Sequence, residues 1–123
     1  GEESPDFCRQ FQRPYLKAVR VQPGLDLLQY AIAHAGARGL LTDAFVPGVP
    51  GGTGATFDWS LLPADLPLPL ILSGGLEPDN ITAAVRAVRP AAVDTSSGVE
   101  ASKGIKDAAR MAAFIAGVHH ASV

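Results

Sequence analysis

Four short apolar segments open at residues 15, 39, 68 and 91, separated by 24, 29 and 23 residues, and helical periodicity follows or leads each of them. YLKAVRV (15 to 21), bounded by prolines, and GLLTDAF (39 to 45) read as strands, as does LPLILSGG (68 to 75), whose prolines are confined to its opening. AAVDTSSG (91 to 98) is a fourth strand with its exit loop. Between them, LDLLQYAIAHAGA (25 to 37) and EPDNITAAVRAVR (77 to 89) repeat apolar residues at helical spacing, and KDAARMAAFIAGV (106 to 118) does so after the last strand. SPDFCRQFQ (4 to 12) predicts an opening helix, with Ser4 as its cap, Pro5 at its first position and Phe7, Cys8 and Phe11 on a buried face. DWSLL predicts a short helical turn, and HHASV a frayed tail. Apolar strands alternating with amphipathic helices at this period define βα units, hence a parallel sheet covered by helices. An open doubly wound sheet and part of an eight-stranded barrel both fit that period.

Composition narrows the function classes. A content of 47% hydrophobic and 18% charged residues suits a core-forming domain, and a net charge of −2 offers no broad basic field for nucleic acid or an acidic membrane surface. The longest apolar runs, such as LPLPLIL (66 to 72), fall far short of the roughly 20 residues of a membrane span. The one cysteine, Cys8, has no partner for an internal disulfide, and no Cys/His cluster has metal-ligand spacing. The expectation is a cytoplasmic protein without a structural metal.

In α/β architectures ligands gather at the carboxyl ends of the strands. Three exits there carry chemistry: Thr42-Asp43, Ser73-Gly74-Gly75, and Asp94 with Thr95-Ser96-Ser97-Gly98. Glycines let a backbone approach an anion, and amides offer donors without burying a charged side chain. Each of the last two loops taken alone is equally a turn. Two of them in register at successive strand ends favour a phosphate site, which in a barrel follows strands seven and eight.

The residues themselves resemble a family. GGTGATFDW (51 to 59), the SGGL turn and VDTSSGVE followed by KGIKD occur in the order found in phosphoribosylanthranilate isomerases, and the likeness runs over nearly all 123 residues. The resemblance implies a TIM (β/α)8 barrel of which this chain carries roughly strands five to eight, so that residues 1–123 form the C-terminal half of one domain. It also implies an Amadori rearrangement in tryptophan biosynthesis. An acid protonates the ribose ring oxygen as the C1–O bond breaks, and a base then removes the C2 proton from the resulting Schiff-base cation, giving an enolamine that tautomerises to the ketone. No cofactor is implied, because the substrate nitrogen serves as electron sink.

By position in the family pattern, Asp43 is the general acid, a role that calls for a carboxyl kept protonated by burial or by substrate charge. Gly74, Gly75, Ser96, Ser97 and Gly98 match the phosphate site, and Asp94 is a substrate-contacting carboxylate or a turn cap. Gly51, Gly52, Thr53 and Gly54 belong to a loop without the Gly-Lys-Ser/Thr ending of a nucleotide-binding P-loop. The expectation is a lid over Asp43 that excludes water, anchored by Phe57 and Trp59, with a static turn as the alternative. The family's cysteine base lies on a first strand that has no counterpart here, and Cys8, spaced with phenylalanines, reads as packing. Lys17 reads as a surface lysine, and His34, His119 and His120 as solvent-facing.

A half barrel has two open edges and a bare inner face, so the expected partners are a phosphorylated small molecule and either the other half-barrel or a second copy. Lacking a base, the chain alone is expected not to turn over substrate. A phosphate-binding module without chemistry is a different reading. Indoleglycerol-phosphate synthase is another, but the four strand exits lack the lysine and glutamates it would need.

Overall fold

The computed structural model describes residues 1–44 and 59–122. Helix α1 (Pro5–Arg9) opens the chain, capped by Ser4, whose Oγ accepts from the Phe7 amide at 3.1 Å. Strand β1 (Leu16–Val21) and helix α2 (Leu27–Ala33) follow, the latter capped by Asp26, which accepts from the Gln29 amide. Strand β2 (Gly39–Ala44) precedes the undescribed residues, and a single 3-10 turn at Trp59–Leu61 resumes the chain. Strand β3 (Leu70–Leu72), helix α3 (Ile81–Val88) and strand β4 (Ala92–Val93) complete the alternation. All four strands run parallel in the order β1-β2-β3-β4, as the βα period requires.

Elements are shorter than their patterns where local chemistry intervenes. Pro67 and Pro69 have no amide to give a ladder, so β3 begins only at Leu70, although the Pro69 carbonyl still accepts from the Leu40 amide at 2.9 Å. Helix α3 starts at Ile81, four residues later than its pattern, and ends on Arg89, whose left-handed φ of 52° precedes Pro90.

Two features depart from the sequence reading. A two-residue turn joins strands β5 (Glu100–Ser102) and β6 (Ile105–Lys106) in an antiparallel hairpin that no alternation pattern announced. Helix α4 (Ala108–Ala121) then runs through His119 and His120, so the expected frayed tail is helical up to Ala121. The Thr82 hydroxyl of α3 ties this last stretch down by donating to the Gly117 carbonyl at 2.9 Å, and the Ser122 amide closes the final turn on His119.

Alternation in the strands separates two faces. Val19, Leu40, Leu70 and the α2 residues Leu27 and Ala31 form one buried cluster, and Leu72, Leu76, Ile81, Ala84, Val99 and Phe114 form another under α3 and α4. Thr42 is fully buried, satisfied by donating to the Ile71 carbonyl. The opposite face carries Leu16, Ala18, Leu41 and Ile71, and it lacks a covering layer among the described residues: Leu16 is 54% exposed.

Lys17 and His34 correct the sequence reading. Lys17 points to the covered face at 3% exposure, its ammonium donating to the carbonyls of Gly1 and Ala18 and to Glu3, and lying 5.8 Å from the Tyr30 ring centre. A buried ammonium requires such partners, and a strand lysine gives no sign of them. His34 is likewise buried, stacked on Tyr30 with ring centres 4.8 Å apart, because the last turn of α2 faces the sheet. His119 and His120 are exposed. The expected buried face of α1 is absent: Cys8 is half-buried, and Phe7 and Phe11 pack edge-to-face on each other while remaining largely exposed.

Candidate active site

Asp43, Ser73 and Asp94 leave three adjacent parallel strands, and register brings them to one rim. A cavity of about 200 Å³ opens there, bounded by Ala18 and Leu41 of the bare face and by the loops after β3 and β4. Asp43, Gly74, Gly75, Asp94, Ser96 and Ser97 all line it, as do Ser73 and Thr95, so residues from all three strand exits singled out in the sequence share one space. Gly98 stands behind that lining. Gly51, Gly52, Thr53 and Gly54, together with Phe57, lie outside the described residues; Trp59 is half-buried against the cluster around Leu72 and Leu76.

The two carboxylates face different surroundings. Asp43 is half-buried and pairs in register with Arg20 on β1, whereas Asp94 is exposed, anchored by its amide to the Leu72 carbonyl at 2.9 Å and weakly touched by the Ser73 hydroxyl at 3.4 Å.

Loop backbones dominate the rest of the rim. Gly74 and Gly75 have φ of 96° and 66°, successive left-handed residues that a side chain would strain. At Gly98 the constraint is space, since a Cβ there would lie 1.9 Å from the Leu76 carbonyl oxygen. The two loops therefore touch backbone to backbone, and only glycine permits it. Thr95 ties them as well, donating to Leu76 at 2.6 Å.

Four side chains hold these loops, and of them the sequence reading had singled out only Thr95, as part of the exit after β4. Asn80, expected inside a helix, instead donates to the Gly75 carbonyl at 2.9 Å and accepts from the Glu77 amide, which is why α3 starts after it. Thr95 is the second. Lys106 of β6 donates to the Ser96 carbonyl at 2.9 Å and pairs with Glu100 at 2.7 Å. The Lys106 ammonium and a hydrogen bond from Gly104 hold the Glu100 carboxyl below the usual carboxylate range. Arg110, in the first turn of α4, donates to the Gly98 carbonyl from Nε at 3.1 Å and from Nη2 at 2.8 Å. For Arg110 the sequence carries one signal, Asp107 three residues before it as a helix cap.

Among the described residues, no cluster of three or more His, Cys, Asp or Glu side chains could hold a metal ion, and no helix is long and apolar enough to cross a membrane.

A parallel βα sheet with paired glycine and serine loops lining one cavity at adjacent strand ends defines a protein of the α/β class. Residues 1–117 match the family described as N-(5'-phosphoribosyl)anthranilate (PRA) isomerase, and the chain belongs to that family. It is 64% identical over 118 residues to N-(5'-phosphoribosyl)anthranilate isomerase of Nitrosospira multiformis, covering 96% of this chain and 57% of that protein. The Pseudomonas aeruginosa (strain UCBPP-PA14) protein of the same name is 61% identical over 115 residues, covering 94% and 54%. Among solved structures, phosphoribosyl anthranilate isomerase from Thermotoga maritima superposes with a TM-score of 0.82 at 41% identity, over 98% of this chain and 59% of that one. A second, solved in complex with reduced 1-(o-carboxyphenylamino)-1-deoxyribulose 5-phosphate, gives a TM-score of 0.76 at 36% identity, over 98% and 57%. The chain thus spans a little over half the length of the relatives it matches.

Proposed function

We propose that this chain supplies the general acid and the phosphate site of a phosphoribosylanthranilate isomerase acting in tryptophan biosynthesis, as the second half of a (β/α)8 barrel. The observation that carries the reading is the shared cavity: Asp43 opens onto the same space as the loops after β3 and β4. With the substrate phosphate against the amides of those loops, the ribose reaches back toward Asp43. Its carboxyl group delivers a proton to the ring oxygen while the C1–O bond breaks and the anthranilate nitrogen takes up the positive charge. Removal of the C2 proton then needs a base on the other side of the ring. Asp94, which begins the loop that holds the phosphate in this reading, serves to contact the substrate or shape the rim.

The base, and the layer that covers Leu16, Ala18, Leu41 and Ile71, come from the complementary half-barrel in this reading. A bare apolar sheet face with two open edges supports that partner. The test is turnover of phosphoribosylanthranilate, followed by its fluorescence. In the assembled enzyme Asp43→Asn lowers kcat by about 10²–10⁴-fold, the contribution usual for a positioned proton donor, while the reduced product analogue still binds. Unchanged kcat in Asp43→Asn sinks the assignment.

A further inference from the structure

Around the loop after β4, three successive carbonyls are engaged by hydrogen-bond donors that follow them in the chain. The Ser96 carbonyl accepts from the Lys106 ammonium, the Ser97 carbonyl from the Glu100 amide, and the Gly98 carbonyl from both Nε and Nη2 of Arg110. A trans peptide is planar, so its N–H points opposite to its C=O. Fixing the Ser96 and Ser97 carbonyls therefore directs the amides of Ser97 and Gly98 away from Lys106 and from the Glu100 amide, in a loop whose Ser96 and Ser97 line the cavity. The facing loop uses the same device once, with Asn80 holding the Gly75 carbonyl and the Leu76 amide left pointing away from it.

We propose that Lys106 and Arg110 are positioning residues, which never touch substrate but preset the amides of the β4 loop to receive its phosphate. The inference rests on the phosphate reading given above and adds to it the source of the cradle's rigidity. Both cations come from elements that follow the loop in the chain, the hairpin and the first turn of α4. Asp107 fixes where that turn begins, accepting from the Arg110 amide at 2.8 Å. Lys106 is aimed in turn by Glu100, so a carboxylate beside an anion site works in favour of anion binding by orienting the lysine.

The sign of the Glu100 effect separates positioning from simple charge. If Lys106 and Glu100 acted only through their fields, Glu100→Gln would remove a repulsion and tighten anion binding. Positioning demands the opposite sign, because Lys106 loses the partner that directs it at Ser96. The experiment titrates inorganic phosphate into the full chain, following the amide resonances of Gly75, Leu76, Ser97 and Gly98, with thermal midpoints recorded for every variant. Lys106→Met and Arg110→Met are expected to weaken phosphate binding about tenfold, the scale of one charge-assisted hydrogen bond, and to shift the Ser97 and Gly98 amides before phosphate is added. Glu100→Gln weakens it several-fold, Arg110→Lys recovers part of the loss, and Lys103→Met, which removes the same charge from the exposed hairpin turn, leaves binding within about twofold.

Tighter binding in Glu100→Gln, or methionine variants that lower only the thermal midpoint, overturn the positioning role. Should the methionine variants not fold, the sign of the Glu100→Gln effect decides by itself. Phosphate that binds the unaltered chain without moving those four amides would instead overturn the phosphate reading on which the inference rests.

Discussion

The rim between β3 and β4 and the bare inner face of the sheet are completed in different ways. At the rim, the restraints among the described residues are local: Asn80, Thr95, Lys106 and Arg110 lie within about twenty residues of the carbonyls they hold, and the two loops adjoin the cluster of Leu72, Leu76, Ile81, Val99 and Phe114. Among the described residues the face has no such closure. Leu16 is 54% exposed there. Contacts local in sequence are cheap in chain entropy and form with the chain they belong to, whereas a sheet face needs whatever layer packs on it. Binding and turnover should therefore separate in this molecule.

The largest effect expected from that contrast is all-or-none. The chain by itself binds inorganic phosphate yet does not turn over phosphoribosylanthranilate, and adding the four preceding βα units of a relative restores turnover. Turnover by the chain alone would break the comparison at its root. Gly98→Ala comes next, because its methyl group would sit 1.9 Å from a backbone oxygen that cannot swing aside. The cost is expected at the upper end of the roughly 1–3 kcal/mol usual for overpacking, read from urea unfolding, with phosphate binding lost as the loops part.

A smaller change probes the bare face. Leu16→Lys leaves the covered clusters untouched and adds a charge to an already exposed site, so stability changes by less than about 0.5 kcal/mol. Self-association, followed by sedimentation, falls as the apolar surface is interrupted. Equal association in both forms would mean that the inner face is not the sticky surface.

The smallest effect concerns pH and lies away from both regions. Burial, then the nearby charges of Lys17 and Arg9, push the His34 pKa down from its ordinary value, with Glu3 opposing. The unfolded chain then binds the proton more readily than the folded one. His34 costs nothing above its unfolded pKa of about 6.5, and stability falls as pH drops from there toward the lower folded value. Urea midpoints at pH 7.5 and 5.5 should differ less in His34→Phe than in the unaltered chain.

Periodicity determined the parallel βα order, because strands of two to six residues and helices of two to four turns leave distinct spacings in the chain. Position at strand ends, joined to the family resemblance, was enough to single out Asp43, the two glycine and serine loops and Asp94. Fourteen-residue α4 was legible too, though not its last turn, whose anchor is a threonine on another helix. What only the tertiary structure decided is how the loops are held. Nothing in the order of residues says that Lys106 reaches Ser96, that Arg110 reaches Gly98, or that Lys17 and His34 are buried. Those facts follow from how the chain folds back on itself to bring a side chain within hydrogen-bonding distance of one carbonyl, and such a partner leaves no period for a sequence to display.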